Sequence, residues 1–318
     1  MQLDYELKKS IRGAYGEAIA ELGNTNPNIV ALDADLSGST KSSTFAKAHP
    51  ERFFNVGIAE QDLMTTALGL SLTGKIPFAS TFAVFATGRA YDQIRNSICY
   101  QKANVKVVGA HGGITVGEDG ASHQSLEDIS LMRSIPNMTV IAPSDYNQMK
   151  QVVRFASEFN GPVYIRMSRL DVPVVYDESY KFNYKKADLL KEGRDVTLLT
   201  YGDILSEVIK ASEILEKEGI SAEIINVPVI KPLDKDSIIK SAMKTGHVVV
   251  VENHSIIGGL GSAVCEILSE ELPTKVLRIG VNDTFGQSGT PKELLKYYGI
   301  DAEGIAEKII EGKGSFKK

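Results

Sequence analysis

Short, mostly apolar runs alternate with segments of helical spacing along almost the whole chain. This rhythm restricts the possible fold more than any other feature of the sequence. The runs include Asn28–Asp33, Ile76–Ser80, Val105–Ala110, Met138–Ala142 and Val163–Met167. Residues 5–22, Ile58–Leu72, Phe82–Tyr100, Leu126–Ser134 and Tyr146–Phe159 lie between them and carry apolar residues at helical spacing. A strand that is apolar on both faces must be covered on both faces. The spacing therefore predicts an α/β fold: a mostly parallel sheet with helices on each side.

The rhythm breaks over residues 170–192, where Pro173, scattered tyrosines and a lysine-rich patch read as a linker with room for a hairpin. A second, smaller α/β unit follows, with strands expected at Val196–Tyr201, Ala222–Val227, His247–Glu252 and Lys275–Ile279. The expected division is residues 1–172, a linker at 173–192, and residues 193–318. A chain of 318 residues is long enough for two such cores. The formal net charge of −5 gives no reason to expect nucleic acid or an acidic membrane surface as a partner. No apolar run approaches the roughly 18 residues of a membrane span. Met1–Ser10 is too polar for a signal peptide. Cys99 and Cys265 are too few for a disulfide framework and suit a reducing cytoplasm.

Three motifs stand close together in the first unit. Phe53-Phe54-Asn55-Val56-Gly57-Ile58-Ala59-Glu60-Gln61 is a short strand that turns at Gly57 into a helix with an acid in its first turn. Ser80-Thr81-Phe82-Ala83-Val84-Phe85 spaces two phenylalanines to share a helix face. His111 to Gln124 is a glycine-rich loop with two histidines and two acids. Alone, each is weak: a glutamate at a helix start, a core phenylalanine pair and a loop histidine are all ordinary. Glycines in a loop do let backbone approach a ligand closely, and histidine can donate to hydroxyls or move protons near neutral pH.

In this order and spacing, the set resembles the pyrimidine-binding half of transketolase, a thiamine-diphosphate enzyme. Asp283-Thr284-Phe285-Gly286-Gln287-Ser288-Gly289, followed by a helix ending Tyr-Gly-Ile, is similar to the end of transketolases. The chain thus looks like the C-terminal subunit of a transketolase split into two polypeptides, its two units being a pyrimidine-binding domain and a transketolase C-terminal-type domain. The resemblance implies a role for each of several residues. Glu60 would meet the ring nitrogen N1′ of the cofactor, Phe82 and Phe85 would stack on its aminopyrimidine, and Asp35 would lie near the thiazolium. His111 and His123 would contact the sugar's carbonyl and hydroxyl groups, and Asp119 would read the stereochemistry at its C2. Arg12, Ser39 and Arg169 would bind a terminal phosphate, for which the planar fork of arginine is suited. One departure is Gly88, where many transketolases have a tyrosine. His111 also separates the chain from deoxyxylulose phosphate synthases, which share Gly-x-Asp-Gly-x-x-His but usually carry arginine near this position.

Thiamine enzymes hold magnesium and the diphosphate through Gly-Asp-Gly and a later asparagine. This sequence has no such motif: Gly202-Asp203 lacks the second glycine. No third residue at suitable spacing turns the two histidines into a metal site. Gly258-Gly259-Leu260-Gly261 follows a strand but is not a full Gly-x-Gly-x-x-Gly, and reads as close packing at a helix start. The diphosphate and Mg2+ would then belong to an N-terminal partner subunit, in an α2β2 heterotetramer acting on phosphorylated sugars. The alternatives are half of a deoxyxylulose phosphate synthase, a keto-acid dehydrogenase β subunit, a transketolase for an unusual sugar, or a non-catalytic partner. A partner free of catalysis could lose Glu60, His111 and His123, and this chain keeps all three.

Overall fold

The computed structural model describes residues 3–312. The larger sheet has seven strands, in the order Val229–Lys231, Thr139–Ile141, Val163–Arg166, Lys106–Ala110, Ile76–Phe82, Ile29–Asp33 and Phe53–Asn55. Every neighbouring pair is parallel except the first, where a strand from the second half of the chain joins the edge antiparallel. Side chains alternate across each strand, so the sheet feeds two cores. Val30, Leu32, Val105 and Val107 pack with Leu63, Met64, Ile94, Ile98 and Met132. Ile29, Ala31, Val108 and Ile165 pack on the other face with Ile11, Tyr15, Phe45, Met149 and Val152.

The second sheet has five strands, in the order Val276–Val281, Val248–Ser255, Val196–Thr200, Ala222–Asn226 and Asp188–Lys191, the last antiparallel. The two halves share a core. Met132 and Val140 belong to the same buried cluster as Tyr201, Leu260 and Val264. Among the described residues, no helix is long and apolar enough to cross a membrane.

Local chemistry sets the helix starts. Ser10 Oγ accepts from Gly13 N at the head of helix Ile11–Thr25, and Asp145 Oδ1 accepts from Gln148 N at Tyr146–Glu158. The same Asp145 carboxylate accepts from Val175 N and Tyr176 N, which pins the segment leaving the first unit. Most strands lie where the sequence places them, but Val229–Lys231 is unexpected, and Asp188–Lys191, read as part of a linker, forms an edge strand of the second sheet. Two further differences lie in the first unit. Residues 8–10, expected inside the first helix, form a strand paired antiparallel with Asp171–Pro173, and the helix begins only at Ile11. The long helix expected from Phe82 starts one residue later. Ile76–Phe82 is rich in aromatic and β-branched residues, and its ladder runs on to pair Phe82 with Ala110. Beyond it the chain winds in π turns at Phe85–Arg89 and Gln93–Cys99, where Ala90 N donates to Phe85 O and Tyr100 N to Arg95 O.

Candidate active site

Five parallel strands of the larger sheet deliver the candidate residues at their C-terminal ends, where open α/β sheets take ligands. Asp35 follows Ile29–Asp33, Glu60 follows Phe53–Asn55, and Phe82 ends its strand. His111 is the first residue after Lys106–Ala110, and Arg169 follows Val163–Arg166.

Glu60 opens helix Glu60–Leu72 and is only 2% exposed. Its Oε1 accepts from Arg89 Nη1 at 2.8 Å, while its buried Oε2 has no partner. Its surroundings are apolar on one side only: Leu63 and Met64, which follow it on the helix, are buried, whereas Ile58 is 78% exposed. Arg89 also lies over the Phe85 ring, 4.5 Å from its centroid. Phe85 stacks on Phe82 with centroids 5.8 Å apart and planes within 12°, although Phe82 sits on a strand and not on a shared helix face. The His111 ring stacks on Phe82 at 3.9 Å, and His123 meets both phenylalanines edge-on. Glu60, Arg89, Phe85, Phe82, His111 and His123 thus form one contiguous wall.

His111 holds φ of 62°, a left-handed conformation unusual for a residue with a side chain. Burial, reinforced by the charges of Arg12, Arg169 and His123, pushes its imidazole down to about 3. It is therefore neutral at neutral pH, and its Nδ1 is buried without a partner. The His123 Nδ1 lies 2.9 Å from Ser122 Oγ.

The pairing of residues 8–10 with 171–173 brings Arg12 beside Arg169. Arg12 Nη1 donates to Ser39 O at 2.7 Å and Nη2 to Arg169 O at 2.9 Å, so the structure uses the Ser39 carbonyl in this contact. Arg12 Nε is buried without a partner. Arg169 Nη1 donates to Val116 O and to Glu118 Oε2, and Asp119 lies 3.7 Å away. Asp35 stands apart from the wall. It is exposed, and its contacts are with Asn55, whose Oδ1 accepts from Asp35 N and Gly57 N and whose Nδ2 donates to Asp35 Oδ1. Among the described residues, no group of three or more His, Cys, Asp or Glu could hold a metal ion.

Sequence reasoning missed several residues that shape this site. Arg89 had a visible signal, an arginine one helical turn after Phe85. Thr115, Asp203 and Asn253 had none, because their hydrogen bonds cross between the two halves. Asp203, met in sequence as a fragment of a diphosphate motif, is 6% exposed and accepts from Thr115 Oγ1 at 2.6 Å. The second glycine-rich turn is filled from within. Glu252 accepts from Leu260 N and Gly261 N, each at 2.9 Å, and a Cβ at Gly259 would overlap the Glu252 carboxylate.

Residues 8–174 match the transketolase pyrimidine-binding domain, and residues 185–305 match the transketolase C-terminal domain. A Methanocaldococcus jannaschii protein named as a transketolase C-terminal section is 54% identical over 95% of this chain and 96% of its own length. A 6-deoxy-6-sulfo-D-fructose transketolase subunit from a Clostridium species is 42% identical, over 95% of each chain. A solved split-gene transketolase, described as an inactive β4 tetramer, superposes with a TM-score of 0.89 at 53% identity, covering 95% of this chain and 97% of that one.

Proposed function

The chain belongs to the transketolase family, spanning its pyrimidine-binding and C-terminal domains, and we propose that it is the C-terminal subunit of a split transketolase that uses thiamine diphosphate to move a two-carbon ketol unit from a ketose phosphate to an aldose phosphate. One observation carries this reading: the buried Glu60 Oε2 has no partner, and Arg89, bound to the other oxygen, joins Glu60 to the stacked Phe82 and Phe85. An unmet buried carboxylate oxygen is costly, and an aminopyrimidine ring nitrogen supplies the partner it lacks while the aromatic wall supplies a stacking face. The residues present therefore fit the cofactor.

Thiamine diphosphate, when bound, would supply the electron sink through which the two-carbon unit passes. The protein supplies the surroundings. Glu60 holds a proton at N1′ through Oε2, with Arg89 fixing the other oxygen. Phe82 and Phe85 keep the ring in register. His111, neutral because it is buried, offers a hydrogen bond to the sugar's carbonyl oxygen without bringing a charge. His123 serves the neighbouring hydroxyls and Asp119 the configuration at C2. Arg12 and Arg169 hold the anionic end of the sugar, near Ser39. Asp35 would lie near the thiazolium. The diphosphate and Mg2+ are held by an N-terminal subunit bearing Gly-Asp-Gly, in an α2β2 assembly in the cytoplasm. Phe54 and Ile58, exposed beside Glu60, support the reading that a partner covers this edge. A transketolase for a sulfonated sugar is a second reading, favoured by the sulfo-sugar relative. Sulfonate and phosphate are both terminal anions that the arginines could grip.

The full chain should bind thiamine diphosphate weakly in calorimetry with magnesium present, and tightly once its N-terminal partner is added. The reconstituted complex should transfer ketol units over a panel of phosphorylated and sulfonated sugars, and the panel identifies the terminal group. Tight binding by the chain alone would overturn the split site. An assembled, cofactor-loaded complex inert towards every sugar would overturn ketol transfer.

A further inference from the structure

We propose that Asn253, on the second unit, is a positioning residue for the glycine-rich loop, working through Thr115 and Asp203; the inference rests on the reading of that loop as the sugar-binding element. The loop leaves strand Lys106–Ala110 and lies against the end of strand Val248–Ser255. Asn253 is 1% exposed and uses both ends of its amide. Its Oδ1 accepts from Ile114 N at 2.8 Å. Its Nδ2 donates to Thr115 Oγ1 at 2.9 Å and to Asp203 Oδ2 at 3.1 Å. Thr115 Oγ1 in turn donates to Asp203 Oδ2, closing a triangle. The amide orientation follows from the chemistry: a backbone N–H requires the oxygen and a carboxylate requires the NH2.

The backbone is clamped at the same point. Gly113, at φ of 83°, presses so closely on Asn253 that a Cβ there would overlap the amide. The Asn253 carbonyl accepts from Arg166 Nη2 at 2.9 Å, and Arg166, buried against Asp128, lies under Gly112. At the far end of the loop, Gln124 Nε2 donates to Gln287 O at 2.9 Å, again across to the second unit.

The clamp matters because His111, two residues before Gly113, sits in a left-handed conformation. Such a conformation persists only where its surroundings over-determine it. Asn253, Asp203 and Thr115 spend their side-chain polar groups on one another and on Ile114 N. Their effect on a substrate passes through the placement of His111 and of the acids beyond Thr115. The second unit would thus set the shape of a loop that the first unit carries, and displacing a substrate-positioning group by about 1 Å can lower a rate by roughly 100-fold.

The test begins with hydrogen exchange on the full chain, which requires neither cofactor nor partner. Asn253→Ala should speed exchange at Ile114 to Val116 by at least about 10-fold. In the complex reconstituted with the N-terminal subunit it should lower kcat/KM for the sugar by about 10- to 100-fold, with thiamine diphosphate affinity unchanged. Asn253→Asp alone sets two carboxylates against each other and should lose as much. Combining it with Asp203→Asn restores one donor and one acceptor and should recover activity to within about 3-fold. If Asn253→Ala does not fold, Thr115→Val removes the Thr115 bonds to Asn253 and Asp203 from the loop side, and exchange should still quicken at Thr115 and Val116. Unchanged exchange, or no recovery in the double variant, overturns the proposal. Faster exchange with unaltered sugar kinetics leaves the clamp standing and overturns the sugar-binding reading of the loop.

Discussion

Two glycine-rich turns follow parallel strands in this protein, and they have opposite fates. The turn at Gly258–Gly261 opens a helix whose first amides point at a carboxylate of the same chain. Glu252 is fully buried, accepts from two backbone N–H groups and also receives the Tyr201 hydroxyl at 3.3 Å. The anion site that a helix start offers is therefore already filled. The loop from His111 to Gln124 is packed just as closely below, yet it leaves His111 Nδ1 and Gln124 Oε1 buried and unmatched. Glycine allows backbone to come close to something. Whether that something is a ligand or the protein itself depends on which polar groups remain unpaired. The same contrast separates Glu252 from Glu60: one, on strand Val248–Ser255, has its carboxylate taken up by amides of a helix start, and the other, opening a helix, holds a free oxygen.

This contrast yields predictions in order of expected size. Glu60→Gln keeps the shape and removes the proposed proton relay, so it should lower turnover of the reconstituted complex by about 10²–10⁴-fold without loss of stability. Turnover within a few fold of wild type would make Glu60 as structural as Glu252. Glu252→Ala should do the reverse. It strands two buried amides and should cost about 3 kcal/mol of stability in denaturant unfolding, and phosphate should recover part of the loss by entering the vacated anion site. A variant as stable as wild type would erase the difference between the turns.

Arg169→Ala tests whether the arginine, paired here with Val116 O and Glu118, also serves substrate. Affinity for a phosphorylated donor should fall by about 10- to 150-fold, equivalent to roughly 1.5–3 kcal/mol for a charge-assisted bond. Hydroxypyruvate, which has no phosphate, should be nearly unaffected, and equal losses for both donors would make the arginine a loop brace. The smallest effect at neutral pH concerns His111. Its imidazole stays neutral in the folded protein down to about 3, against an ordinary value near 6.5. The unfolded chain therefore binds more protons between these values. Stability is fully present above pH 6.5 and should fall as pH drops from there toward 3. His111→Asn should flatten that part of the stability curve, and an unchanged slope would mean that the imidazole is not held neutral by its site.

Much of this was legible in the sequence. Strands such as Ile29–Asp33 and Lys106–Ala110 are apolar on both faces, and no packing other than helices over a parallel sheet buries them so completely. The order of Glu60, Phe82, Phe85, His111 and His123 followed from motifs, because chemistry at strand ends depends on residue type and local turn geometry. Tertiary structure decided the rest. Phe82 looked helical by its spacing from Phe85, but pairing with Ala110 kept it in the strand, since a ladder contact outweighs the weak local preference of one residue. Arg12 and Arg169 met only through the pairing of 8–10 with 171–173. The saturation of Glu252, the open oxygen of Glu60 and the grip of Asn253 on Ile114 all depend on donors and acceptors supplied by residues distant in the chain. A sequence states which groups can form hydrogen bonds. Only the packed fold determines which of them find partners and which remain free for a ligand.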